Sequence, residues 1–184
     1  MEISVISLLG SSFPADQFVE DELCARLPFA VARYTDLLRC HVQGPLRHNL
    51  AARQAFLARV LFGRPAQSTV IVGRSSGALI ATRLAAEGAP QIRGIVALGY
   101  PFQHPQRGAE AERTEHLARL AVPTLIFQGR RDPYGGADTV ARYPISGRVR
   151  IEALDCAHDM RLTAADWDRL ARSIRDFVDQ LQPA

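Results

Sequence analysis

Apolar and polar residues follow one another in a pattern that predicts alternating strands and helices. Short runs rich in β-branched residues are typical of strands buried on both faces of a sheet. Six such runs are present, at residues 3–9, 29–34, 70–72, 92–99, 122–129 and 149–154. Segments with apolar residues at helical spacing lie between and after them, at residues 16–27, 50–61, 79–84 and 164–181. The pattern favours an α/β domain, a three-layer sandwich whose mainly parallel six-stranded sheet has helices on both faces.

Several predicted helix boundaries carry residues that satisfy free backbone groups. Asn49 precedes the second helix, and Thr163 precedes the last helix with Asp166 three residues later, the spacing of a capping box. Residues 103–115 are polar, so we expect a surface excursion there, followed by a short helical segment at 116–120. Because the chain has no internal repeat, low-complexity tract or linker, residues 1–184 are predicted to form one domain.

The most informative stretch joins the third predicted strand to the helix after it. Its sequence, Gly-Arg-Ser-Ser-Gly at 73–77, fits the pattern G-x-S-x-G. Where a strand turns sharply into a helix, the central serine is held in a strained, exposed position, and the flanking glycines avoid collisions with the neighbouring chain. Ser75 would then lie at the helix N-terminus, where free N–H groups stabilise a developing oxyanion. The sequence thus predicts a nucleophile at Ser75.

Two other interpretations of this turn are open. Ser75 could act only as a helix cap in a glycine-rich turn. Ser76 is a neighbouring serine, but the spacing of the glycines selects Ser75 as the nucleophile. Ser76 is instead expected to contribute its backbone N–H to an oxyanion hole.

Candidates for a base and an acid follow later strands. A serine hydroxyl needs a base that takes its proton, and histidine suits this role when a carboxylate orients it. Asp132 follows the fifth predicted strand, and His158 lies between the last strand and the last helix. Because the carboxyl ends of parallel strands meet at one edge of the sheet, we expect both residues to lie near Ser75. The sequence thus predicts Asp132 as the acid and His158 as the base.

Each of these two assignments has alternatives. Asp132 precedes a proline and could be an ordinary turn residue, and Asp155 or Asp159 could orient the histidine instead. Taken alone, His158 could be a solvent-facing loop histidine. The other histidines are rivals for the base, although none of them follows the final strand: His41, His48, His104 and His116.

Charge and composition argue against several classes of partner. All 22 basic residues are arginines, and with 19 acidic residues the net charge is +3 and the pI about 9.0. The arginines are interspersed with acidic residues rather than gathered in a stripe, so no nucleic-acid surface is indicated. The first ten residues lack a basic leader, and their apolar run is too short for a signal peptide or a membrane span. We expect a cytoplasmic protein with no membrane partner.

The cysteines favour a reducing compartment. Cys24, Cys40 and Cys156 are odd in number and widely spaced, with no C-x-x-C, which is typical of reduced structural thiols. Cys156 and His158 form a C-x-H pair of the kind found in zinc sites, but further ligands at metal spacing do not accompany it. We therefore expect neither a metal nor a cofactor.

Residues 68–160 resemble the α/β-hydrolase superfamily, and within it a small dienelactone-hydrolase-like group whose members mostly have no assigned substrate. The resemblance rests on residues 73–77, on Leu-Gly-Tyr-Pro-Phe at 98–102, on His-Leu at 116–117 followed by Val-Pro-Thr-Leu at 122–125, and on Gln-Gly-Arg-Arg-Asp-Pro-Tyr-Gly at 128–135. The last stretch is the most specific and is similar to the group's Q-G-x-x-D-P-[FY]-G. The order serine, aspartate, histidine is also that of α/β-hydrolases. The resemblance implies a minimal α/β-hydrolase fold with Ser75 as nucleophile, Asp132 as acid and His158 as base.

The chain departs from this family after its first strand. Family members often have His-Gly-x-Gly there, which forms half of the oxyanion hole, whereas this chain has Leu-Gly-Ser-Ser at 9–12. A backbone N–H of Ser11 could still serve beside that of Ser76, because the hole needs a donor rather than a particular side chain. The antiparallel strands that precede this strand in larger relatives are expected to be absent.

The segment after the fourth strand bounds the expected substrate site. Larger hydrolases insert a lid there, whereas the segment 100–115 of this chain is short and polar. We therefore expect an open site without a large lid. Tyr100 and Phe102 either form an apolar, substrate-binding wall beside Ser75 or pack the edge of the sheet. An open site favours a small acyl substrate over long lipid chains.

The nucleophile narrows the expected reaction. Dienelactone-type chemistry normally uses a cysteine nucleophile, whereas the strand-to-helix turn at 73–77, the nucleophile elbow, carries Ser75. We therefore predict hydrolysis of small ester or thioester bonds through an acyl-enzyme. Two alternatives are a catalytically weak or inactive binding module and a cofactor-free perhydrolase. The sequence is compatible with a monomer or a homodimer.

Overall fold

The computed structural model describes residues 3–42 and 49–182. Its strands are β1 (Ser4–Leu8), β2 (Val31–Ala32), β3 (Thr69–Arg74), β4 (Ile92–Leu98), β5 (Gln103–His104), β6 (Gly108–Ala109), β7 (Thr124–Gly129) and β8 (Val149–Leu154). Its α-helices are α1 (Gln17–Cys24), α2 (Tyr34–His41), α3 (Leu50–Leu61), α4 (Ser76–Ala86), α5 (Ala111–Thr114) and α6 (Ala164–Leu181). Short 3-10 helices span Glu115–Arg119 and Ala137–Arg142.

A parallel sheet of six strands, in the order β2-β1-β3-β4-β7-β8, forms the middle layer. The central strand β3 pairs on both sides, with Ile71 opposite Ile6 of β1 and opposite Ile95 of β4. The short strands β5 and β6 pair separately as an antiparallel hairpin. Because all six strands run in the same direction, their carboxyl ends and the loops after them share one edge of the sheet.

Successive side chains of the sheet enter two hydrophobic cores, one on each face. Ile71 packs in the core under α2, α3 and α4, whereas its neighbours Val70 and Val72 pack in the core under α1 and α6. A strand buried on both faces needs apolar residues at every position, which explains its continuous apolar run. The predicted three-layer fold, a mainly parallel six-stranded sheet between helices, is confirmed.

Capping residues begin two helices where the sequence placed them. Asn49 Oδ1 accepts a hydrogen bond from the Ala52 N–H at 2.8 Å at the start of α3. Thr163 Oγ1 accepts one from the Asp166 N–H at 3.2 Å at the start of α6. Each cap satisfies a donor that the helix itself leaves free. The last helix then runs to Leu181, as its apolar spacing predicts.

The structure differs from the prediction over residues 29–41. The expected strand at 29–34 is wrong at its end, since only Val31–Ala32 pairs with β1 and Tyr34 already begins α2. The buried carboxylate of Glu20 accepts the Tyr34 N–H at 2.7 Å, which satisfies one free donor at the start of this helix. Tyr34 and Leu37 face the core, while the rest of the helix is largely polar. Because α2 has only eight residues, its apolar positions span about two turns, which is too short a window for periodicity to identify a helix.

The surface excursion expected at 103–115 carries regular structure. It contains the β5–β6 hairpin and α5, and the helical segment predicted at 116–120 is the 3-10 helix Glu115–Arg119. Within the described ranges, no helix combines the length and apolar character needed to cross a bilayer.

Candidate active site

The turn from β3 into α4 holds Ser75 in a strained backbone conformation. Its φ of 51° and ψ of −121° lie in a region that residues other than glycine rarely adopt. The Ser75 N–H donates to the Leu98 carbonyl oxygen at 3.0 Å, and the Ser75 carbonyl oxygen accepts from the Ala78 N–H at 2.9 Å. These bonds fix the turn between the end of the sheet and the first turn of α4.

The two glycines of the turn allow a close approach between chain segments. A Cβ atom on Gly73 would lie 2.6 Å from Ala78 Cα, inside the following helix. A Cβ atom on Gly77 would lie 2.0 Å from the Leu8 carbonyl oxygen at the end of β1. Both distances are too short for real atoms, so α4 can pack directly on β1 and β3 only with glycine at these positions.

The structure brings Ser75, His158 and Asp132 into one hydrogen-bonded chain at the carboxyl edge of the sheet. Ser75 Oγ lies 2.9 Å from His158 Nε2, and His158 Nδ1 lies 2.8 Å from Asp132 Oδ2. Ser75 follows β3, Asp132 follows β7 and His158 follows β8. In this arrangement His158 Nε2 can take the hydroxyl proton while Nδ1–H donates to the carboxylate. The relative position expected from strand topology is therefore present.

Asp132 is buried and held by several donors. Its Oδ1 accepts the Tyr134 N–H at 2.8 Å, and its Oδ2 accepts from Gln128 Nε2 at 3.1 Å as well as facing His158. Hydrogen bonds to both oxygens satisfy the charged carboxylate inside the protein. They also fix the plane of the carboxylate toward the histidine.

The loop that carries His158 is tied to the turn that carries Ser75. The buried guanidinium of Arg74 donates to the His158 carbonyl oxygen and, at 3.3 Å, to the Leu98 carbonyl oxygen. Its Nη1 also lies 3.4 Å from His158 Nε2. Burial lowers the pKa of Arg74, opposed by the charges of nearby carboxylates, Asp16 first among them. Arg74 therefore couples the positions of nucleophile and base.

The rival acids and bases that the structure describes lie outside the hydrogen-bonded chain of Ser75, His158 and Asp132. Asp155 is exposed and pairs with Arg131, and Asp159 is exposed on the same loop. His41 ends α2, His104 lies in the β5–β6 hairpin, and His116 is buried against Thr82 and Tyr100. His48 lies outside the described residues.

The zinc alternative at Cys156 and His158 gains no further ligands. Cys156 is buried with its Sγ 4.0 Å from Met160 Sδ, and burial raises the pKa of its thiol to about 11. Over residues 3–42 and 49–182, no group of three or more metal-ligating side chains is close enough to hold an ion.

The loop after β1 approaches the start of α4 and meets Ser76. The Ser11 N–H, the expected second donor of the oxyanion hole, donates to Ser76 Oγ at 3.0 Å. The guanidinium of Arg53 reaches the same oxygen at 2.7 Å from α3 and also donates to the Leu9 carbonyl oxygen. The backbone N–H of Ser76 lies in the first turn of α4, where helix geometry leaves it without an intrahelical acceptor.

A cleft of about 320 Å³ opens over Ser75 and His158. The segment after β4 forms one wall of it, with Pro101, His104 and Arg113 among its lining residues. Tyr134 lines the cleft as well, with its ring centroid 4.2 Å from that of His158. The excursion expected at the surface thus forms part of the wall of this cleft.

Tyr100 and Phe102 do not line this cleft. Both are 0% exposed and belong to the core on the α2–α4 face. Their rings pack on each other at 4.8 Å, and the Tyr100 hydroxyl donates to the Arg113 carbonyl oxygen at 2.7 Å. Of the two alternatives for these residues, the structure shows packing at the edge of the sheet rather than a wall beside Ser75.

A family model described as an alpha/beta hydrolase domain matches residues 44–182. The chain belongs to the alpha/beta hydrolases. Its match covers the elbow at Ser75, the Asp132 loop and the His158 loop. No curated protein matches this hydrolase significantly.

Solved structures share the fold of this hydrolase at low sequence identity. A YdeN-like hydrolase from Pectobacterium atrosepticum is 19% identical, with a TM-score of 0.71 over 99% of this chain and 94% of that chain. Alpha/beta hydrolase domain-containing protein 10 from mouse is 16% identical, with a TM-score of 0.66 and coverages of 97% and 90%. An esterase from Pyrococcus furiosus is 16% identical, with a TM-score of 0.69 and coverages of 97% and 83%. These likenesses extend over nearly the whole described hydrolase domain.

Four residues of the hydrolase site escaped assignment from the sequence. Gln128 and Tyr134 lie within the stretch 128–135 that carries the family resemblance, so their positions were visible but their contacts were not. Arg74 occupies the first of the two variable positions in G-x-S-x-G, so the pattern says nothing about its role. Arg53 occupies an apolar-face position of α3, where a charged residue indicates a buried polar contact.

Proposed function

We propose that this alpha/beta hydrolase is a serine hydrolase that cleaves small ester or thioester bonds through Ser75, His158 and Asp132. The observation that carries the proposal is the hydrogen-bonded chain from Ser75 Oγ to His158 Nε2 and from His158 Nδ1 to Asp132 Oδ2, at 2.9 and 2.8 Å. The serine at one end of this hydrogen-bonded chain, Ser75, faces an accessible cleft. That combination is what acyl transfer through a serine requires.

In the first half of the reaction, Ser75 Oγ attacks the carbonyl carbon of the substrate while its proton passes to His158 Nε2. The carbonyl π electrons move to the oxygen, which becomes an oxyanion near the start of α4. When the tetrahedral intermediate collapses, the bond to the leaving group breaks and His158 donates the proton to the departing alcohol or thiol. Asp132 stabilises the imidazolium between these two transfers. The product is an acyl-Ser75 ester.

In the second half, water attacks the acyl-Ser75 carbonyl as His158 Nε2 takes one of its protons. Collapse of the second tetrahedral intermediate releases the carboxylic acid and returns the proton to Ser75 Oγ. The backbone N–H of Ser76 donates to the oxyanion in both halves, since it lies at the helix N-terminus beside the nucleophile.

The size and lining of the cleft support a small acyl group. Its volume of about 320 Å³ lies at the low end of ligand pockets, and polar side chains, including His104 and Arg113, line part of it. A long lipid chain would need a larger apolar surface. A cytoplasmic location and a monomeric or homodimeric state stay predictions from the sequence.

Hydrolysis of p-nitrophenyl acetate and butyrate by the wild type, Ser75→Ala and His158→Ala tests the proposal. Loss of a working member of the triad should lower turnover by about 10³-fold or more. Labelling by a fluorophosphonate probe should be lost in Ser75→Ala, and circular dichroism should show that both variants keep the fold. Wild-type protein that neither turns over these esters nor reacts with the probe would favour a binding module instead.

A further inference from the structure

The hydroxyl of Ser76 has an unusual hydrogen-bonding environment beside the nucleophile. Its oxygen faces two donors, the Ser11 N–H at 3.0 Å and Arg53 Nη1 at 2.7 Å. Neither group can accept a hydrogen bond, because a backbone amide nitrogen and a guanidinium only donate. Both lone pairs of the Ser76 oxygen are therefore used by these donors.

A serine hydroxyl has two acceptor sites and a single proton. With both acceptor sites occupied, the remaining hydrogen bond of Ser76 Oγ is one in which it donates. Ser76 lines the same cleft as Ser75 and His158. A substrate bound in that cleft can therefore offer a hydrogen-bond acceptor to the Ser76 hydroxyl. A hydroxyl that accepts from a charged guanidinium is also polarised, which strengthens its own donation.

Arg53 is fixed in place by its own contacts. The residue is 1% exposed on the core face of α3, and its second terminal nitrogen donates to the Leu9 carbonyl oxygen. Burial lowers its pKa, while Tyr34 and, less strongly, the charge of Asp16 oppose that effect. A buried guanidinium bound at two points has little freedom to turn away from Ser76, so the hydroxyl is held in one orientation.

The same contacts change the role expected of Ser11. Its N–H points to Ser76 Oγ in this structure and is not available to a substrate oxygen in the same geometry. The loop after β1 therefore contacts the site through the Ser76 side chain.

We propose that the Ser76 side-chain hydroxyl, oriented by Arg53 and Ser11, donates to the oxyanion together with the Ser76 backbone N–H. This inference rests on the proposed serine-hydrolase function. Ser76 is then a catalytic residue that contributes two donors, and Arg53 is a positioning residue that acts through it. The side-chain donor is worth most in the transition state, where charge on the oxygen is greatest, so it should affect kcat more than KM.

The test compares wild type, Ser76→Ala and Ser76→Thr in hydrolysis of p-nitrophenyl butyrate. Ser76→Ala keeps the backbone N–H but loses the hydroxyl, and kcat is expected to fall about 100-fold with KM within threefold of wild type. Ser76→Thr keeps a hydroxyl at the same carbon and should recover most of kcat. Ser173→Ala, the same chemical change on α6, serves as the control and should leave kcat unchanged.

A trifluoromethyl ketone provides a second readout, because its adduct with Ser75 carries an oxyanion. Its inhibition constant should rise in Ser76→Ala by the same factor as kcat/KM falls, which a purely structural role would not produce. Wild-type kcat in Ser76→Ala would overturn the inference, as would a fall in kcat with an unchanged inhibition constant. If either result is found while fluorophosphonate still labels Ser75 of the wild type fully, the inference is overturned but the proposed function stands. Absence of both turnover and labelling in the wild type would overturn function and inference together.

Discussion

The side-chain amide of Gln128 donates to Asp132 Oδ2 at 3.1 Å, on the same carboxylate oxygen that faces His158 Nδ1. The amide nitrogen also donates to the Gly135 carbonyl oxygen at 2.6 Å, and Gln128 Oε1 accepts the Tyr100 N–H at 2.8 Å. Gln128 is fully buried at the end of β7. One side chain thus binds the acid, the turn behind it and the end of β4, which gives the 128–135 stretch a physical meaning.

Replacing Gln128 by methionine should cost both stability and activity. The change keeps the side-chain length but leaves a backbone N–H, a carbonyl and a carboxylate oxygen with fewer partners in the interior. We expect the free energy of unfolding to fall by about 3 kcal/mol, measured by urea denaturation. We also expect kcat for p-nitrophenyl butyrate to fall by about 10- to 100-fold, because Asp132 is less firmly held.

The two effects of this substitution can be separated. KM should stay close to wild type, since Gln128 is buried and does not line the cleft. A variant as stable and as active as the wild type would show that the Asp132 loop is positioned without the amide.

Tyr134 offers a test of how His158 is held. The two rings lie 4.2 Å apart at an interplanar angle of 33°, and the tyrosine also lines the cleft. Tyr134→Ala should lower kcat by about tenfold, because the imidazole loses the surface that limits its rotation. Tyr134→Phe keeps the ring and is the matched comparison, with kcat expected within about threefold of wild type. Equal losses in both variants, measured by steady-state kinetics, would assign the effect to the phenol hydroxyl instead.

Strong local signals explain which parts of the fold the sequence predicted well. Strand β3 has a continuous apolar run that ends at the G-x-S-x-G turn. Helix α6 has a regular apolar face that begins after the cap at Thr163. In both elements local preference and packing agree. Helix α2 was missed because its start at Tyr34 depends on the Glu20 carboxylate, a partner 14 residues earlier in the chain.

The candidate site divides in the same way. The positions of Ser75, Asp132 and His158 follow from strand ends, which parallel topology brings to one edge. The place of Arg53 on the apolar face of α3 indicates that it is buried, but its partner Ser76 depends on how α3 packs against α4 and has no signature in local spacing. Tyr100 and Phe102 were ambiguous for a related reason, since apolar residues after a strand suit a cleft wall and a core equally well.

The contact between Gly77 and β1 predicts an intolerant position in the elbow. A Cβ atom there would meet the Leu8 carbonyl oxygen at 2.0 Å, and backbone on both sides must shift to accept it. We expect Gly77→Ala to lower the free energy of unfolding by about 3 kcal/mol or more, or to prevent recovery of folded protein. Gly147→Ala is the matched control, because a Cβ atom at Gly147 meets nothing within 4 Å.

Thermal or urea unfolding of the purified Gly77→Ala and Gly147→Ala variants measures their free energies of unfolding. The control should lie within about 1 kcal/mol of wild type. A Gly77→Ala variant that is as stable as Gly147→Ala would mean that α4 can move away from β1 at little cost.

His116 predicts a loss of stability in acid. The ring is buried, and its Nε2 lies 2.9 Å from Thr82 Oγ1 and 3.2 Å from the Tyr100 hydroxyl. Both hydroxyls donate to backbone carbonyls, Thr82 to Ala78 and Tyr100 to Arg113, so Nε2–H is the donor in the neutral ring. Burial, with the charges of Arg83 and Arg119, lowers the pKa of His116 to about 4 from an ordinary value of 6.5.

The sign of the effect follows from the pH at which the folded and the unfolded state each bind the proton. Below pH 6.5 the unfolded chain takes up a proton at His116 that the folded protein does not take up until about pH 4. Stability is therefore lost as the pH falls through this window, by at most about 3 kcal/mol from this one group. His116→Gln keeps an amide donor toward Thr82 and Tyr100 but cannot titrate. Urea unfolding of both proteins at pH 7 and pH 4.5 should show a smaller acid-induced loss in the variant, and equal losses would mean that His116 already binds its proton in the folded state.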